Sequence, residues 1–327
     1  MIIDPRELKR RQILRLKGIE SGKALIGPAE VQVHITDRCN INCKFCYYFA
    51  PGSPHTPVGV NHVPMKLFSS IVRDCVELKV DRITLSGEGD PTLHPRFYDM
   101  LKYLESKPIS VSIHSNTTFP MERCRDIIRA DNILVNLGAS SKEGYRDVHG
   151  KNLFMRVIKN IKEMARLREK YNPNFRIKVL FIETSLNADS RESTTELVRK
   201  LGADEVNCVK AETWEFTQDF NEAESKARET MKKKWLPCYH GWFYSQVMLT
   251  GELRLCCYLQ KKSITDLHQR SFKEAWFSED YNHARRSAVS GEGYRDLVEC
   301  KTCIGARHNQ QYGQQLEEFK RIKSLQR

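Results

Sequence analysis

Between residues 31 and 210, six short runs rich in β-branched residues alternate with amphipathic stretches, and this alternation leaves few topologies open. The runs are "VQVHIT" (31–36), "RITLSG" (82–87), "ISVSIHSN" (109–116), "ILVNLGAS" (133–140), "IKVLFIET" (177–184) and "EVNCVK" (205–210). Segments near 65–78, 95–106, 120–130, 152–170 and 190–201 carry apolar residues at helical spacing, with Pro120 and Ser190 as start signals and Gly202 as a stop. Strands and helices that alternate in this way form parallel βα units with right-handed crossovers. The expected fold class is therefore α/β, a partial (β/α)6 barrel or open sheet, with its chemistry at the carboxyl ends of the strands.

The character changes on either side of this core. Residues 1–30 read as a short helical lead-in, and 211–236 as a polar, helical linker. In "WFYSQVMLTGELRLCCYL" two alternating runs flank Thr250 and Gly251, which predicts a β-hairpin. A helix near 271–288, the cysteine pair Cys300 and Cys303, and a charged, Gln-rich helix over 311–327 follow. The expected division is a core over 31–210, a small domain over 237–310 and a terminal helix.

No stretch approaches the roughly 20 apolar residues needed to span a bilayer, and the N-terminus lacks the pattern of a secretory signal. A cytoplasmic location follows as the expectation, and in that reducing compartment eleven cysteines are metal ligands, catalytic groups or core residues rather than disulfides. The net charge of +12 comes from 53 basic and 41 acidic side chains spread along the chain. Runs such as "ELKRRQILRLK" and "MKKKW" read as solvated helix faces, which leaves an anionic ligand or RNA open as a partner.

Three of the cysteines, Cys39, Cys43 and Cys46, fall within "DRCNINCKFCYYF", directly after the first strand. An odd number of thiols cannot close into disulfides, and three leave a tetrahedral ion one ligand short. Zinc sites draw on C-x2-C pairs from two loops. A [4Fe-4S] cube held at three corners leaves one iron open to a further ligand. The stretch "CNINCKFC" resembles the C-x3-C-x-φ-C motif of the radical S-adenosylmethionine (SAM) family, with Phe45 as the aromatic φ.

The segment "ITLSGEGDPTLHP" is similar to the family's glycine-rich stretch after the second strand, with Gly89-Asp90-Pro91 where the family usually has glutamate. The resemblance implies that Gly87 and Gly89 permit close backbone approach to the SAM amino group, with Asp90 beside it. It places Asn116 in "SIHSNTT", Ser140 in "LGASSKEGYRDVHG" and Asn187 near SAM, against ordinary roles in turns or caps. It also implies Phe45 against the adenine edge, and Tyr47 and Tyr48 packed on the barrel rim. The implied chemistry is reductive cleavage of SAM to a 5′-deoxyadenosyl radical that takes hydrogen from an unactivated carbon, with flavodoxin or ferredoxin as the reducing partner.

Cys238, Gly251 and Cys256 followed by Cys300 and Cys303 resemble the twitch form of the SPASM extension, which implies one auxiliary [4Fe-4S] cluster on Cys238, Cys256, Cys300 and Cys303. Four thiolates also suit a structural zinc, and Cys257 is the alternative to Cys256. Cys75 and Cys124 read as core residues. Cys208, at the end of the sixth strand, and Cys257 are candidate hydrogen-atom donors, with core packing the alternative for Cys208.

The layout looks similar to enzymes acting on sugars, cyclitols or other small metabolites by oxidation or epimerisation. Thirty residues before the first strand are too few for a leader-binding domain, which weighs against a peptide substrate. Peptide or RNA modification and a non-catalytic zinc module are the other readings. Arg146, His149, Glu183, Lys210, Glu212 and His240 are candidates for the substrate cavity.

Overall fold

The computed structural model describes residues 3–211, 237–257, 259, 262–292, 300 and 306–325. Cys303, Glu212 and the segment 212–236 read as a linker lie outside the described residues. The six expected strands form within two residues of their expected ends, except that the fourth stops four residues early: β1 (Glu30–His34), β2 (Arg82–Ser86), β3 (Ser110–Ser115), β4 (Asn132–Asn136), β5 (Arg176–Glu183) and β6 (Glu205–Lys210). Each pairs in parallel with the next, so the sheet follows chain order from β1 to β6 and stays open at β6.

One face of the sheet is apolar and the other polar, because side chains alternate along a strand. Val31, Val33, Ile83, Leu85, Val111, Ile113, Ile133, Val135, Ile177 and Val179 form a continuous buried core. That core meets the apolar faces of α2 (Met65–Glu77), α3 (Phe97–Glu105), α4 (Cys124–Ile127), α6 (Phe154–Tyr171) and α7 (Arg191–Lys200). Cys75 and Cys124 are buried among these residues, as expected of small apolar side chains.

Four differences from the expected layout matter. A helix not foreseen, α5 (Lys142–His149), starts at Ser141, whose side chain accepts from the Gly144 N–H, and stops at Gly150 with φ 71°. Serine at the start and glycine just past the end were the available signals. The helix near 271–288 is two, α8 (Phe272–Phe277) and α9 (Glu279–Ser290), because extended Ser278 ends one and caps the other. The hairpin of β7 (Tyr244–Val247) and β8 (Glu252–Arg254) does not stand apart from the core. β7 pairs in parallel with β1, and β9 (Thr265–Asp266) extends the sheet to nine strands in the order β6-β5-β4-β3-β2-β1-β7-β8-β9.

The last helix, α10 (Ala306–Leu325), and α1 (Pro5–Ser21) close over this join, where Leu16, Trp242, Phe243 and Leu316 make a second, smaller core. Tyr312 stacks on Phe243 at 4.0 Å. Arg15 of α1 is 2% exposed and donates to the carbonyls of Gly27 and Pro28, at 3.0 Å each, and to Asp81 at 2.6 Å. It thereby ties α1 to the turn before β1 and to the start of β2. Arg15→Met leaves those carbonyls without these donors and the buried side of Asp81 short of a partner. The expected loss is about 3 kcal/mol, read as a lower urea midpoint, and an unchanged midpoint would show that α1 is merely appended.

Candidate active site

The loop that carries Cys39, Cys43 and Cys46 leaves the carboxyl end of β1 and is gripped from three sides. On the first, the β2 segment lies against its start: Gly89 N–H donates to Thr36 O at 3.1 Å and Asp90 N–H to Arg38 O at 2.8 Å. A Cβ on Gly89 would stand 2.0 Å from the Arg38 carbonyl oxygen, and one on Gly87 2.4 Å from that of Thr36. Glycine here permits chain to approach chain. On the second side, Asp37 accepts two bonds of 2.7 Å from Asn61, which returns the chain toward α2. The third side is α5: Asn42 N–H donates to His149 O at 3.1 Å and Lys44 N–H to Val148 O at 2.9 Å. Carbonyls that every helix leaves unpaired at its end thus become the seat of the loop.

Asp90 organises the neighbouring turn. Its buried carboxylate accepts from Ser115 Oγ at 2.8 Å, Asn116 N at 2.6 Å, Thr92 N at 3.0 Å and the Thr92 hydroxyl. Burial still holds its pKa above the usual carboxylate range, with the Thr92, Asn116 and Ser115 hydrogen bonds opposing. Asn116 in turn donates to Asn40 Oδ1 at 2.9 Å, and Asn40 to Thr118 Oγ1 at 2.8 Å, so the third strand's end braces the cysteine loop. Asn187 donates to Gly138 O and Ile182 O, both at 2.9 Å, and accepts from Thr184. Ser140 bonds Ser193 at 2.8 Å. Asp90, Asn116 and Asn187 are thus engaged in turn building, and Ser140 with Ser193 of α7, roles that compete with direct cofactor contact.

The three thiols share one electrostatic environment. Burial pushes Cys39 up to about 12, partly offset by the Ile41 N–H, with the Asp90 and Cys46 charges adding to it. Burial raises Cys43 as well, and Cys46 and Cys39 each raise it further. Cys46 is raised by burial against N–H bonds from Phe49 and Tyr48. Thiols that raise one another's pKa in this way favour binding to a cation that displaces their protons. Among the described residues no three His, Cys, Asp or Glu side chains are gathered to hold a metal ion. Thiolates of a four-iron cube attach to different irons, so they stand further apart than ligands of one ion. Three thiols on one loop at the carboxyl end of a parallel strand suit such a cube.

His149 lies beneath this loop. Its Nδ1 is 3.1 Å from Cys43 Sγ, and its Nε2 accepts from Gly138 N–H at 3.0 Å. Tyr145 covers the ring at 4.4 Å, and Phe45 meets it edge-on at 5.8 Å. Phe45 therefore has a protein partner in addition to the adenine edge expected for it. Tyr47 stacks on His55 at 4.0 Å, with Tyr48 edge-on to Tyr47 at 5.1 Å.

The C-terminal cysteines border the same sheet. Cys238, Cys256 and Cys300 pack half-buried against the main core, and Cys238 N–H donates to Ala288 O at 3.1 Å. Cys256 and Cys257 both act on buried Tyr244, and Cys257 hydrogen-bonds it. The Tyr244 hydroxyl also donates to Gln32 Oε1, which links the hairpin to the polar face.

The other expected site residues do not converge. Cys208 pairs in register with Phe181, which is buried on the helix side, so its thiol is on the face away from the polar one and is exposed. Glu183 and Lys210 share that parity, and Glu183 lies 3.4 Å from Arg191 at the start of α7. Arg146 is on the exposed side of α5 and His149 on its buried side. His240 stands over Tyr244 at 4.7 Å, near the C-terminal helix.

The polar face itself was legible as alternation and was overlooked. One row in register across the sheet reads Arg254, Gln246, Gln32, Thr84, Ser112 and Asn132, with His34 and Ser86 in the next. Gln32 donates to Ser86 Oγ at 2.7 Å, and Ser112 to Asn132 Oδ1 at 2.6 Å. Gln246 Nε2 lies 2.9 Å from His34 Nε2, while His34 Nδ1, Gln246 Oε1 and Asn136 Oδ1 are buried with no partner. Tyr98, Tyr145, Thr194 and Arg285 also keep an unpartnered atom among the helices, but on the polar face three such atoms share one surface, which suits a ligand.

Fold and loop together define a parallel α/β enzyme core that gathers three thiols at the carboxyl ends of its strands. Residues 33–177 match the family model of the radical SAM superfamily, and residues 238–304 that of SPASM, an iron–sulfur cluster-binding domain. The probable GTP 3′,8-cyclase of Metallosphaera sedula is 22% identical over 301 residues, which cover 80% of this chain and 92% of the relative. Streptococcus suis SuiB bound to S-adenosylmethionine superposes with a TM-score of 0.64 at 14% identity, covering 93% of this chain and 79% of that one. Native anSMEcpe with bound AdoMet gives 0.58 at 14% identity, covering 91% and 99%. The chain thus carries a radical SAM domain over 33–177 and a SPASM-type domain over 238–304. That pair of domains implies SAM and two [4Fe-4S] clusters. Among the described residues no helix is long and apolar enough to cross a membrane.

His34 makes the polar face sensitive to pH. Burial, aided by the charges of Arg254 and His114, lowers its pKa from 6.5 to about 3. Between those values the unfolded chain binds the proton and the folded chain does not. Stability is therefore lost as pH falls through this window, by up to about 1.4 kcal/mol per pH unit. In urea titrations at pH 7, 6, 5 and 4, His34→Gln should flatten the decline by that slope; a decline as steep as wild type would reject a buried neutral ring.

Proposed function

We propose that Cys39, Cys43 and Cys46 hold the SAM-binding cluster, that Cys238, Cys256, Cys300 and Cys303 hold the auxiliary one, and that the enzyme removes hydrogen from a C–H bond of a small polar metabolite. A sugar, cyclitol or related molecule suits the site, with oxidation or inversion at the attacked carbon. The observation that carries this reading is the polar face between the cysteine loop and the C-terminal hairpin, with buried His34 and Gln246 each presenting an unpartnered polar atom. A hydroxyl-rich molecule can satisfy both an N–H and a carbonyl there, whereas an apolar one would leave them bare.

When bound, the reduced cluster and SAM supply a hydrogen-abstracting adenosyl radical. The chain's own residues seat the substrate, hold its C–H in reach and keep bulk water away. Cys257, hydrogen-bonded to Tyr244 beside the polar face, is the candidate donor for an inversion. Cys208 lies on the other face and is exposed, away from that surface. Flavodoxin or ferredoxin is the class of reductant required.

A larger substrate is the second reading. The net charge of +12 favours RNA among such partners, and S. suis SuiB has also been seen bound to its precursor peptide. RNA binding would weaken steeply with salt, whereas turnover of a small metabolite would not.

Anaerobically reconstituted protein should hold about eight irons, in two four-iron clusters, and release 5′-deoxyadenosine under reductant. Cys39→Ala should halve the iron and abolish that release, while Cys238→Ala halves the iron and leaves the SAM-site spectrum. Zinc in place of iron would end the reading. In heavy water, inversion should introduce deuterium at one substrate carbon and oxidation none. We expect Cys208→Ala to leave that label unchanged and, if inversion occurs, Cys257→Ala to abolish it.

A further inference from the structure

We propose that His149 donates an N–H hydrogen bond to the Cys43 sulfur and thereby sets the reduction potential of the cluster held by the Cys39–Cys46 loop. The inference rests on Cys43 being a ligand of that cluster. It goes beyond ligation, because it assigns the tuning of the cluster to a residue of α5.

The tautomer is fixed by a neighbour that has no choice. The Gly138 backbone N–H is a donor under all conditions, and it is aimed at His149 Nε2 from 3.0 Å. Nε2 must therefore be bare, and the single proton of a neutral imidazole resides on Nδ1. Nδ1 faces Cys43 Sγ at 3.1 Å. The ring cannot turn away, because Tyr145 covers one face, Phe45 meets it edge-on, and the side chain is fully buried.

The surroundings give this bond a purpose. The loop sits at the carboxyl end of α5, the negative pole of the helix and the unfavourable one for an anionic cluster. Two of the exposed carbonyls are neutralised by Asn42 N–H and Lys44 N–H. Cys39 is served by the backbone N–H groups of Asn40 and Ile41, and Cys46 by those of Tyr48 and Phe49. For Cys43 the corresponding donors are its own N–H and the His149 ring. A dipole with its positive end on the sulfur stabilises the reduced cluster more than the oxidised one, so the bond raises the potential. In a dry site of low dielectric that effect is strong.

The test uses two substitutions that split the two nitrogens. Asn in His149→Asn places an amide N–H near Nδ1, whereas Gln in His149→Gln reaches the Nε2 position and lacks the donor toward sulfur. Both are reconstituted and titrated with a redox mediator, following the electron paramagnetic resonance signal that shifts when SAM is added. His149→Gln should lower the reduced-to-oxidised ratio at the wild-type midpoint about tenfold, which for one electron is about 59 mV. His149→Asn should stay near wild type. Equal midpoints for His149→Gln and wild type, or an equal fall in both variants, would overturn the proposal.

If His149→Gln fails to take up iron, wild-type enzyme labelled with ¹⁵N-histidine replaces it. Pulsed resonance should then show one histidine nitrogen coupled to the SAM-sensitive reduced cluster, and no coupling would reject the bond. Failure of the ligand assignment looks different: Cys43→Ala would keep the SAM-sensitive cluster intact.

Discussion

Strand β1 has a hydrogen-bonded parallel neighbour on both sides, β2 on one and β7 on the other, and the rest of the molecule follows from that position. A strand buried at the centre of a sheet must satisfy every backbone group through its neighbours. Its side chains must then divide between an apolar face under helices and a polar face inside. The loop that leaves β1 opens at the middle of the carboxyl edge, between the core strands and the C-terminal hairpin. Pairing β7 to β1 also explains why the small domain has no sheet of its own, and why cysteines far apart in sequence border one surface.

The cysteine loop has no regular structure, so its shape comes from what grips it. Asp90 orders the turn after β3, that turn holds Asn40 through Asn116, and the spare carbonyls of α5 hold Asn42 and Lys44. Each contact satisfies a polar group that would be costly to bury alone. Several residues that resemble cofactor contacts in sequence are thus consumed in building the cradle. On the polar face, by contrast, His34, Gln246 and Asn136 each keep an unpartnered atom.

Much of this was readable beforehand. Period-two runs gave all six core strands, and the C-x3-C-x2-C spacing marked the loop. The errors have physical causes. Cys208 ends a strand on the correct edge of the sheet, but facing is set by register, and a one-residue difference reverses it. His149 was expected in the substrate cavity, because α5, only eight residues long with Gly144 inside it, is too short for a periodicity that would show its buried face. Gly87 and Gly89, expected to let the backbone approach SAM, stand against the carbonyls of Thr36 and Arg38.

By itself the sequence determined the strand–helix alternation, the two sets of cysteines and the donor chemistry that suits iron–sulfur clusters. Those are local properties, written in spacing and residue type. Tertiary structure alone decided that the hairpin completes the core sheet, that His34 and Gln246 meet across it, and that His149 lies under Cys43. These depend on contacts between segments 212 and 106 residues apart in the two cases. No periodicity within one segment encodes such distances, because they are fixed only when the backbone of each strand finds its partner.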